Sequence, residues 1–441
     1  MFRYLCPLFA VCGLAYGGGF APATGDRIVW VGDSITHQCK YTQYVENFLY
    51  TRYHDKRLRT FSSGIKGDDA GDVLDRFDED VAFFNPDWAT ILLGMNDGRY
   101  GAFDRDNFDL YQRDVGELLH RLKELGALAI VLSPSMFDHE QYDYRNREDD
   151  FRFKRINPHY EYNAKLAFYG GWLRRSAERN GLPFIDFWGA MNDATQQFRA
   201  ANERFTLMPD SIHPNPSGMA IMAGKMAAYF TGERDYANRL DIAIDESGKG
   251  SVRVGEARLE AVDKDTLLAE VTPRHLPWVL PATGKMGPGP WYHVDDPAAG
   301  FAYALEGLGL NDDLLRVRGL EPGVYRVLMN GDWALEAESS ELANGIALER
   351  HAASPAYRQS LELALLNAER NDLAMRPYRD AQERMKSVRR THGDDLDRVR
   401  EERAKLESEL RRLFELAQAY EDRIHELAAP RSYRLEIKRA D

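Results

Sequence analysis

Between Arg27 and Phe230, short apolar runs alternate with stretches in which apolar residues recur every three or four positions. Arg27 to Val31 is one such run and stops at Gly32-Asp33-Ser34. Trp88 to Leu93 stops at Gly94, and Ala129 to Leu132 and Pro183 to Phe187 are two more. Runs of this length bounded by turn residues predict strands. Helical spacing covers Thr36 to Tyr53, Phe108 to Leu125, Tyr160 to Arg179 and Pro216 to Phe230. The third of these is closed by Asn180-Gly181 and the last opens on a proline, which are ordinary helix stop and start signals. Strands alternating with helices predict a parallel sheet covered on both faces, with its site at the carboxyl ends of the strands.

The rhythm breaks at 137–159, a stretch crowded with aromatic and charged residues after the strand that ends near Ser133. Its place in the chain puts it on the face of the site, where it is read either as a substrate loop or as a surface insertion. From about Leu240 the pattern turns to β. Leu314–Arg318 and Val324–Met329 read as strands around a Glu321-Pro322-Gly323 turn, and Asn330-Gly331 then predicts a hairpin into Asp332–Glu336. Residues 281–300, rich in Pro and Gly, read as a loop. From Ser354 the chain is helical. Leu396, Val399, Leu406, Leu410, Leu413, Ala417, Tyr420, Ile424 and Leu427 share one heptad seam, with Arg403 at its irregular position. That seam serves either an intramolecular antiparallel hairpin, with 357–390 packed on the core domain, or a homodimer. A last strand at Tyr433–Ile437 closes the chain onto a sheet. The expected parts are therefore 24–235, a small β-rich domain at 241–349 and a helical hairpin with a terminal strand at 354–441.

Composition narrows the function classes. The chain has 441 residues, 44% of them hydrophobic, and a formal charge of −13. No basic footprint points to nucleic acid or to an anionic membrane. Residues 1–23 read as a signal peptide: Arg3, an apolar stretch from Leu5 to Tyr16, and Ala21-Pro22-Ala23 as a cleavage signal. That apolar stretch is too short for stable membrane insertion. A periplasmic or extracellular location is expected. Cleavage after Ala23 would leave Cys39 alone, with no intrachain disulfide. No Cys/His spacing suggests a metal, and His37, His54, His139 and His159 read mostly as surface or packing residues. No cofactor is expected.

Chemistry gathers at four places. Ser34 lies where a strand turns into a helix, which exposes a hydroxyl and aims backbone N–H groups at negative charge. Asp210 and His213 lie three apart before Pro214, so a tight loop can place the carboxylate on one ring nitrogen and leave the other for Ser34. The backbone N–H groups of Ser34 and Gly64 and the side-chain amide of Asn96 are candidate oxyanion donors. Taken singly, Ser34 could be a helix cap, Gly64 and Asn96 turn residues, and Asp210-x-x-His213 a plain loop. Taken together they supply a nucleophile, a base, an orienting acid and an oxyanion hole.

These blocks, Gly32-Asp33-Ser34-Ile35, Gly64, Gly94-Met95-Asn96-Asp97 and Asp210-Ser211-Ile212-His213-Pro214, resemble the SGNH (GDSL-type) hydrolase superfamily over roughly residues 26–230. The resemblance implies a flavodoxin-like three-layer α/β/α sandwich and metal-free hydrolysis through an acyl-serine. It assigns Ser34, Gly64, Asn96 and His213 to the four family blocks and Asp210 to the acid. Ser62 stands where the family often has Asn. Leu314–Gly331 and Ala429–Ile437 resemble a narrower group, exported SGNH esterases of planctomycete-like bacteria with a small β-domain and a helical C terminus. This resemblance implies an acylated carbohydrate as the partner and removal of O-acetyl groups as the reaction. Another small ester, for a lipolytic esterase or thioesterase, is the alternative within the class. A silent glycan-binding or scaffold protein is the alternative outside it.

Overall fold

The structure is a computed structural model. It describes residues 19–154, 156, 158, 160–231, 238–281, 298–305, 313–348, 351–393 and 395–440. The expected signal peptide and the Pro/Gly-rich 281–300 stretch lie largely outside these residues, as does His159.

Strands β1 (Arg27–Gly32), β2 (Arg59–Gly64), β3 (Trp88–Leu92), β4 (Leu128–Leu132) and β5 (Phe184–Ile185) form a parallel sheet in the order β2-β1-β3-β4-β5. This is the expected flavodoxin-like sandwich. Every residue of β1 after Arg27 is buried. Ile28 and Trp30 enter one hydrophobic core and Val29 and Val31 the other, so the sheet is packed on both faces. The register pairs Gly32 of β1 with Gly64 of β2 and with Leu92 of β3, which brings three strand ends to one level.

Two local expectations are corrected. The helix expected over Thr36–Tyr53 is two, Ser34–His37 and Tyr41–Arg52, separated at Cys39, whose φ is 53°. A left-handed residue there ends the short turn that carries Ser34 and lets the longer helix lie along the sheet. The strand expected over Pro183–Phe187 is two residues long. Phe187 instead opens a helix to Ala201, capped by Asp186, whose carboxylate accepts from the Gly189 N–H at 2.9 Å.

Behind this domain two sheets share one core. The first has the order β13-β10-β6-β7, from β6 (Asn238–Ile244), β7 (Gly250–Val254), β10 (Asp313–Arg318) and β13 (Ile346–Ala347). The second has the order β12-β11-β14-β9-β8, from β8 (Ala257–Val262), β9 (Thr266–Val271), β11 (Val324–Met329), β12 (Asp332–Glu338) and β14 (Tyr433–Arg439). Asn330 and Gly331, both at positive φ, make the expected hairpin between β11 and β12. β14 is not an edge: it pairs with β9 and β11, and Tyr433, Leu435 and Ile437 point into the core. The stretch 241–349 is not β throughout. Trp278 donates its indole N–H to the Tyr44 carbonyl at 2.8 Å and packs on Phe48, while helix Ala298–Leu305 lies on helix Pro216–Thr231.

Helices Pro355–Arg370 and Arg376–His392 are joined by a π-turn, Asn371–Met375, and Leu396–Leu427 returns antiparallel to them. Gln359 donates to the Leu427 carbonyl at 2.7 Å, and Arg384 pairs with Glu409 at 2.6 Å. The heptad seam is therefore used within the chain. Leu413 and Ala417 join the sheet core beside Phe61 and Phe84, and Ile424 and Leu427 pack with Tyr50 and Leu363. Leu396, at the far end, is exposed. Arg403, the irregular seam position, reaches Glu79 at 2.7 Å.

At the other terminus Phe20 is buried against Tyr53, Trp88 and Phe230. Phe20 lies within the expected signal peptide 1–23, and cleavage after Ala23 would strip this ring from the core. Among the described residues no helix is long and apolar enough to cross a membrane.

Buried charge joins the hairpin to the sheet. Arg370 meets Glu46 at 3.3 Å, Glu421 at 3.4 Å and the Thr60 carbonyl at 2.5 Å. Glu421 also accepts from the Tyr50 hydroxyl at 2.6 Å and the Thr60 N–H at 2.9 Å. Arg370→Met would leave buried Glu46 without its cation and Glu421 with Arg59 alone, at 3.3 Å, which costs about 3–5 kcal/mol. Chemical denaturation should show that loss, and adding Glu421→Gln should recover part of it.

Candidate active site

Ser34 is the first residue of its helical turn. Asp33 before it accepts the Ile35 N–H at 2.9 Å and so caps that turn. The hydroxyl of Ser34 is partly exposed and stands 2.8 Å from Nε2 of His213. Nδ1 of His213 is 2.8 Å from Oδ2 of Asp210, and the other carboxylate oxygen accepts from the backbone N–H groups of Ile212, at 3.0 Å, and His213, at 2.7 Å. Ser211, at φ 75°, supplies the reversal that lets residues 210 and 213 face each other. The loop is tied outward by the Asp138 N–H, which donates to the Ser211 carbonyl at 3.0 Å.

Gly64 ends β2 against the Ser34 turn. A Cβ at Gly64 would lie 2.4 Å from the His37 nitrogen and 2.7 Å from the Thr36 carbonyl carbon, so only glycine allows this approach. Asn96 follows β3 in a turn fixed from several sides. Asp97 accepts from the Gly94 N–H at 2.8 Å and the Ala70 N–H at 2.9 Å, and Lys165 donates to the carbonyls of Gly98, Gly101 and Ala102. The Asn96 amide donates one hydrogen to the Asp68 carbonyl at 2.8 Å, and its oxygen accepts from the Tyr100 hydroxyl at 3.1 Å. With both sides held, the second N–H of the amide is available to an oxyanion. All five residues singled out in the sequence thus meet at one end of the sheet.

The charges there are set by opposing effects. Burial disfavours the ionised form of Asp210, but His213 and the two backbone N–H donors outweigh it and hold the acid below the ordinary carboxylate range. Burial also disfavours the imidazolium of His213. Asp210, and then Asp33, outweigh that and raise it above the ordinary 6.5. Burial pushes Asp33 itself up to about 7.

The stretch 137–159 is not a loose insertion. Phe137, Tyr142 and Phe151 are buried with Met95, Tyr162, Leu166 and Ile212. Phe153 brings its ring centroid to 5.9 Å from that of His213. Sequence reasoning singled out neither Phe153, Tyr100 nor Asp68. Tyr100 and Asp68 carry no motif of their own and become relevant only through contact with Asn96.

A nucleophile, base and acid in hydrogen-bonded series at the carboxyl ends of a doubly covered parallel sheet define a serine hydrolase. Residues 30–221 match the model of the GDSL-like lipase/acylhydrolase family. A curated relative, the acetylxylan esterase of Geobacillus stearothermophilus, is 25% identical over 221 residues, covering 45% of this chain and 91% of the relative. A solved structure, a gut microbial diltiazem-metabolizing enzyme, superposes with a TM-score of 0.78 at 21% identity, covering 95% of this chain and 99% of that one. It therefore shares the fold of the β-domain and helical hairpin as well as that of the sheet. Residues 30–221 therefore form a hydrolase domain of the GDSL-like (SGNH) type, and the chain is an esterase.

Two outcomes follow from the geometry. Tyr100→Phe removes one hydrogen bond from the Asn96 amide and should lower kcat about 2- to 10-fold with KM unchanged, read from initial rates on p-nitrophenyl acetate. His213 must be neutral to act as a base, and its raised pKa places the acid limb of kcat/KM above pH 6.5. Replacing Asp210 with Asn removes the negative charge that chiefly favours the imidazolium, so the limb of the residual activity should move to lower pH.

Proposed function

We propose that this esterase removes O-acetyl groups from carbohydrate outside the cytoplasm, through an acyl-enzyme on Ser34. The observation that carries the reading is the continuous series Asp210–His213–Ser34, with 2.8 Å at each side-chain step. The carbohydrate substrate is supported by the acetylxylan esterase relative. The apolar stretch at the N terminus supports export.

In this mechanism Ser34 Oγ attacks the acetyl carbonyl carbon while Nε2 of His213 takes the hydroxyl proton. The acetyl carbonyl oxygen becomes an oxyanion that accepts from the N–H groups of Ser34 and Gly64 and from the Asn96 amide. Asp210 holds the imidazole in place and stabilises its charge. As the intermediate collapses, the C–O bond to the sugar breaks and His213 returns its proton to the departing sugar hydroxyl. Water then enters, His213 takes one of its protons, and a second intermediate expels Ser34 with release of acetate. Each turnover consumes one ester and one water and yields one sugar hydroxyl and one acetic acid. No redox partner is needed.

The test is acetate release from a panel of acetylated polysaccharides, with p-nitrophenyl acetate and octanoate alongside. Wild type should release acetate from at least one polysaccharide. Ser34→Ala should lose about 10⁴-fold or more of the rate, and Asn96→Ala about 10²- to 10³-fold. Hydrolysis of octanoate in preference to every acetylated glycan would move the substrate to the lipolytic or thioester class. Undiminished hydrolysis by Ser34→Ala would remove the acyl-serine mechanism.

A further inference from the structure

One face of a helix outside the hydrolase sheet touches each support of the oxyanion hole. Along Arg376–His392, residues Asp380, Glu383 and Lys386 are spaced by three and so lie on neighbouring turns of one face. Asp380 meets Nε2 of His37 at 2.9 Å, and His37 closes the helical turn that Ser34 opens. Asp380 and Glu383 both accept from Lys66, at 3.2 Å and 3.0 Å, and Lys66 lies two residues after Gly64. The His37, Asp380 and Glu383 group has the geometry to gather a cation, and the Lys66 ammonium already provides one.

Lys386 donates to the Asp68 carboxylate and, at 3.0 Å, to Asp72. Asp68 is fully buried and is also paired with Arg76 at 2.7 Å. Its backbone carbonyl is the group that receives the Asn96 amide. The turn of Ser34, the loop of Gly64 and the amide of Asn96 are thus referred to one helix. None of the helix residues touches Ser34, His213 or Asp210 through any described hydrogen bond or ion pair.

We infer that the helix Arg376–His392 sets the geometry of the oxyanion hole, with Lys386 and Asp380 as positioning residues acting through Asp68 and through His37 and Lys66. This rests on the acyl-serine reading of the site and adds to it a requirement for the tail of the chain. Small displacements of donors are expensive in rate because the oxyanion forms only in the transition state. A loss of positioning therefore acts on kcat and spares ground-state binding.

The experiment uses the full chain with Lys386→Met, Lys386→Arg and Asp380→Asn beside wild type and Ser34→Ala. Competent sites are counted by stoichiometric labelling with an organophosphonate ester. Then kcat and KM are measured on p-nitrophenyl acetate, and the inhibition constant of phenylboronic acid is measured as a tetrahedral mimic. Per competent site, Lys386→Met and Asp380→Asn should lose about tenfold in kcat with KM within about twofold. The boronate constant should rise by the factor by which kcat/KM falls, and Lys386→Arg should recover most of the loss. Wild-type kcat per competent site in both Lys386→Met and Asp380→Asn, or a lowered kcat with an unchanged boronate constant, overturns the inference. Asp380→Asn keeps side-chain shape at a half-exposed position, so it reports even if Lys386→Met folds poorly. An inert Ser34→Ala beside unaffected Lys386→Met and Asp380→Asn would sink this inference alone, whereas an active Ser34→Ala would sink the acyl-serine reading beneath it.

Discussion

The buried guanidinium of Arg76 is the constraint on which the working end of the sheet depends. It donates to the Ser63 carbonyl at 2.9 Å and the Gly32 carbonyl at 3.4 Å, the residues just before Gly64 and Asp33. It also meets Asp68 at 2.7 Å, Asp80 at 2.6 Å and the Ser63 hydroxyl at 2.7 Å. A buried cation is tolerable only when its partners are complete, because an unmatched charge in the interior costs several kcal/mol. The same requirement passes along the chain of charges. Asp80 is shared with Arg379 at 2.6 Å, and Asp68 with Lys386. Arg379 and Lys386 both belong to the helix Arg376–His392, so the ends of β1 and β2 reach their full pairing only when the helical hairpin is docked.

This arrangement divides the labour of the site. The triad is made by local loops: a one-turn helix for Ser34 and a four-residue reversal for Asp210 and His213. Their mutual geometry needs only the sheet beneath them. The proposed oxyanion donors follow three separate strands, and those of Gly64 and Asn96 hang on segments that would otherwise be surface loops. Packing by the hairpin, together with Tyr100 and Lys165 around the Asn96 turn, removes that freedom before substrate arrives. Donors fixed in advance pay no reorganisation when charge develops, which is the condition for strong electrostatic stabilisation.

What could be read from the sequence follows the same division. Ser34, Gly64, Asn96, Asp210 and His213, which the fold gathers at one end of the sheet, could be singled out because they stand in short contiguous blocks, mostly at the ends of apolar runs. The parallel sheet was legible because strands buried on both faces leave uninterrupted apolar runs, and the Asn330-Gly331 hairpin because its turn chemistry is local. The break at Cys39 was not, since a left-handed non-glycine residue leaves no mark in hydrophobic spacing. The helix from Phe187 was hidden because its first residue completes the apolar run of β5. The charges at the hairpin interface were the least legible of all. Asp80, Arg370, Arg379 and Glu421 are buried, yet any pattern of polar positions assigns them to solvent. Only the partner across the interface, hundreds of residues away in some cases, gives such a residue its place.

The heptad seam shows how far periodicity alone can carry an argument. It marks a helix with a continuous apolar stripe but says nothing about what covers the stripe. Here the half from Leu413 to Leu427 is covered by the hydrolase sheet and the helix before it, and the end at Leu396 is left open. The chain then returns through β14 to the middle of the five-stranded sheet, between strands formed more than a hundred residues earlier. A central strand cannot be added to a finished sheet without separating its neighbours, so the sandwich is complete only when the final segment is in place. The hairpin that leads to that strand is the same hairpin that completes the pairing of Asp68 and Asp80. The β-domain and the loops of Gly64 and Asn96 are therefore tied to the same hairpin, which links a domain that contributes none of the triad residues to the end of the sheet where they lie.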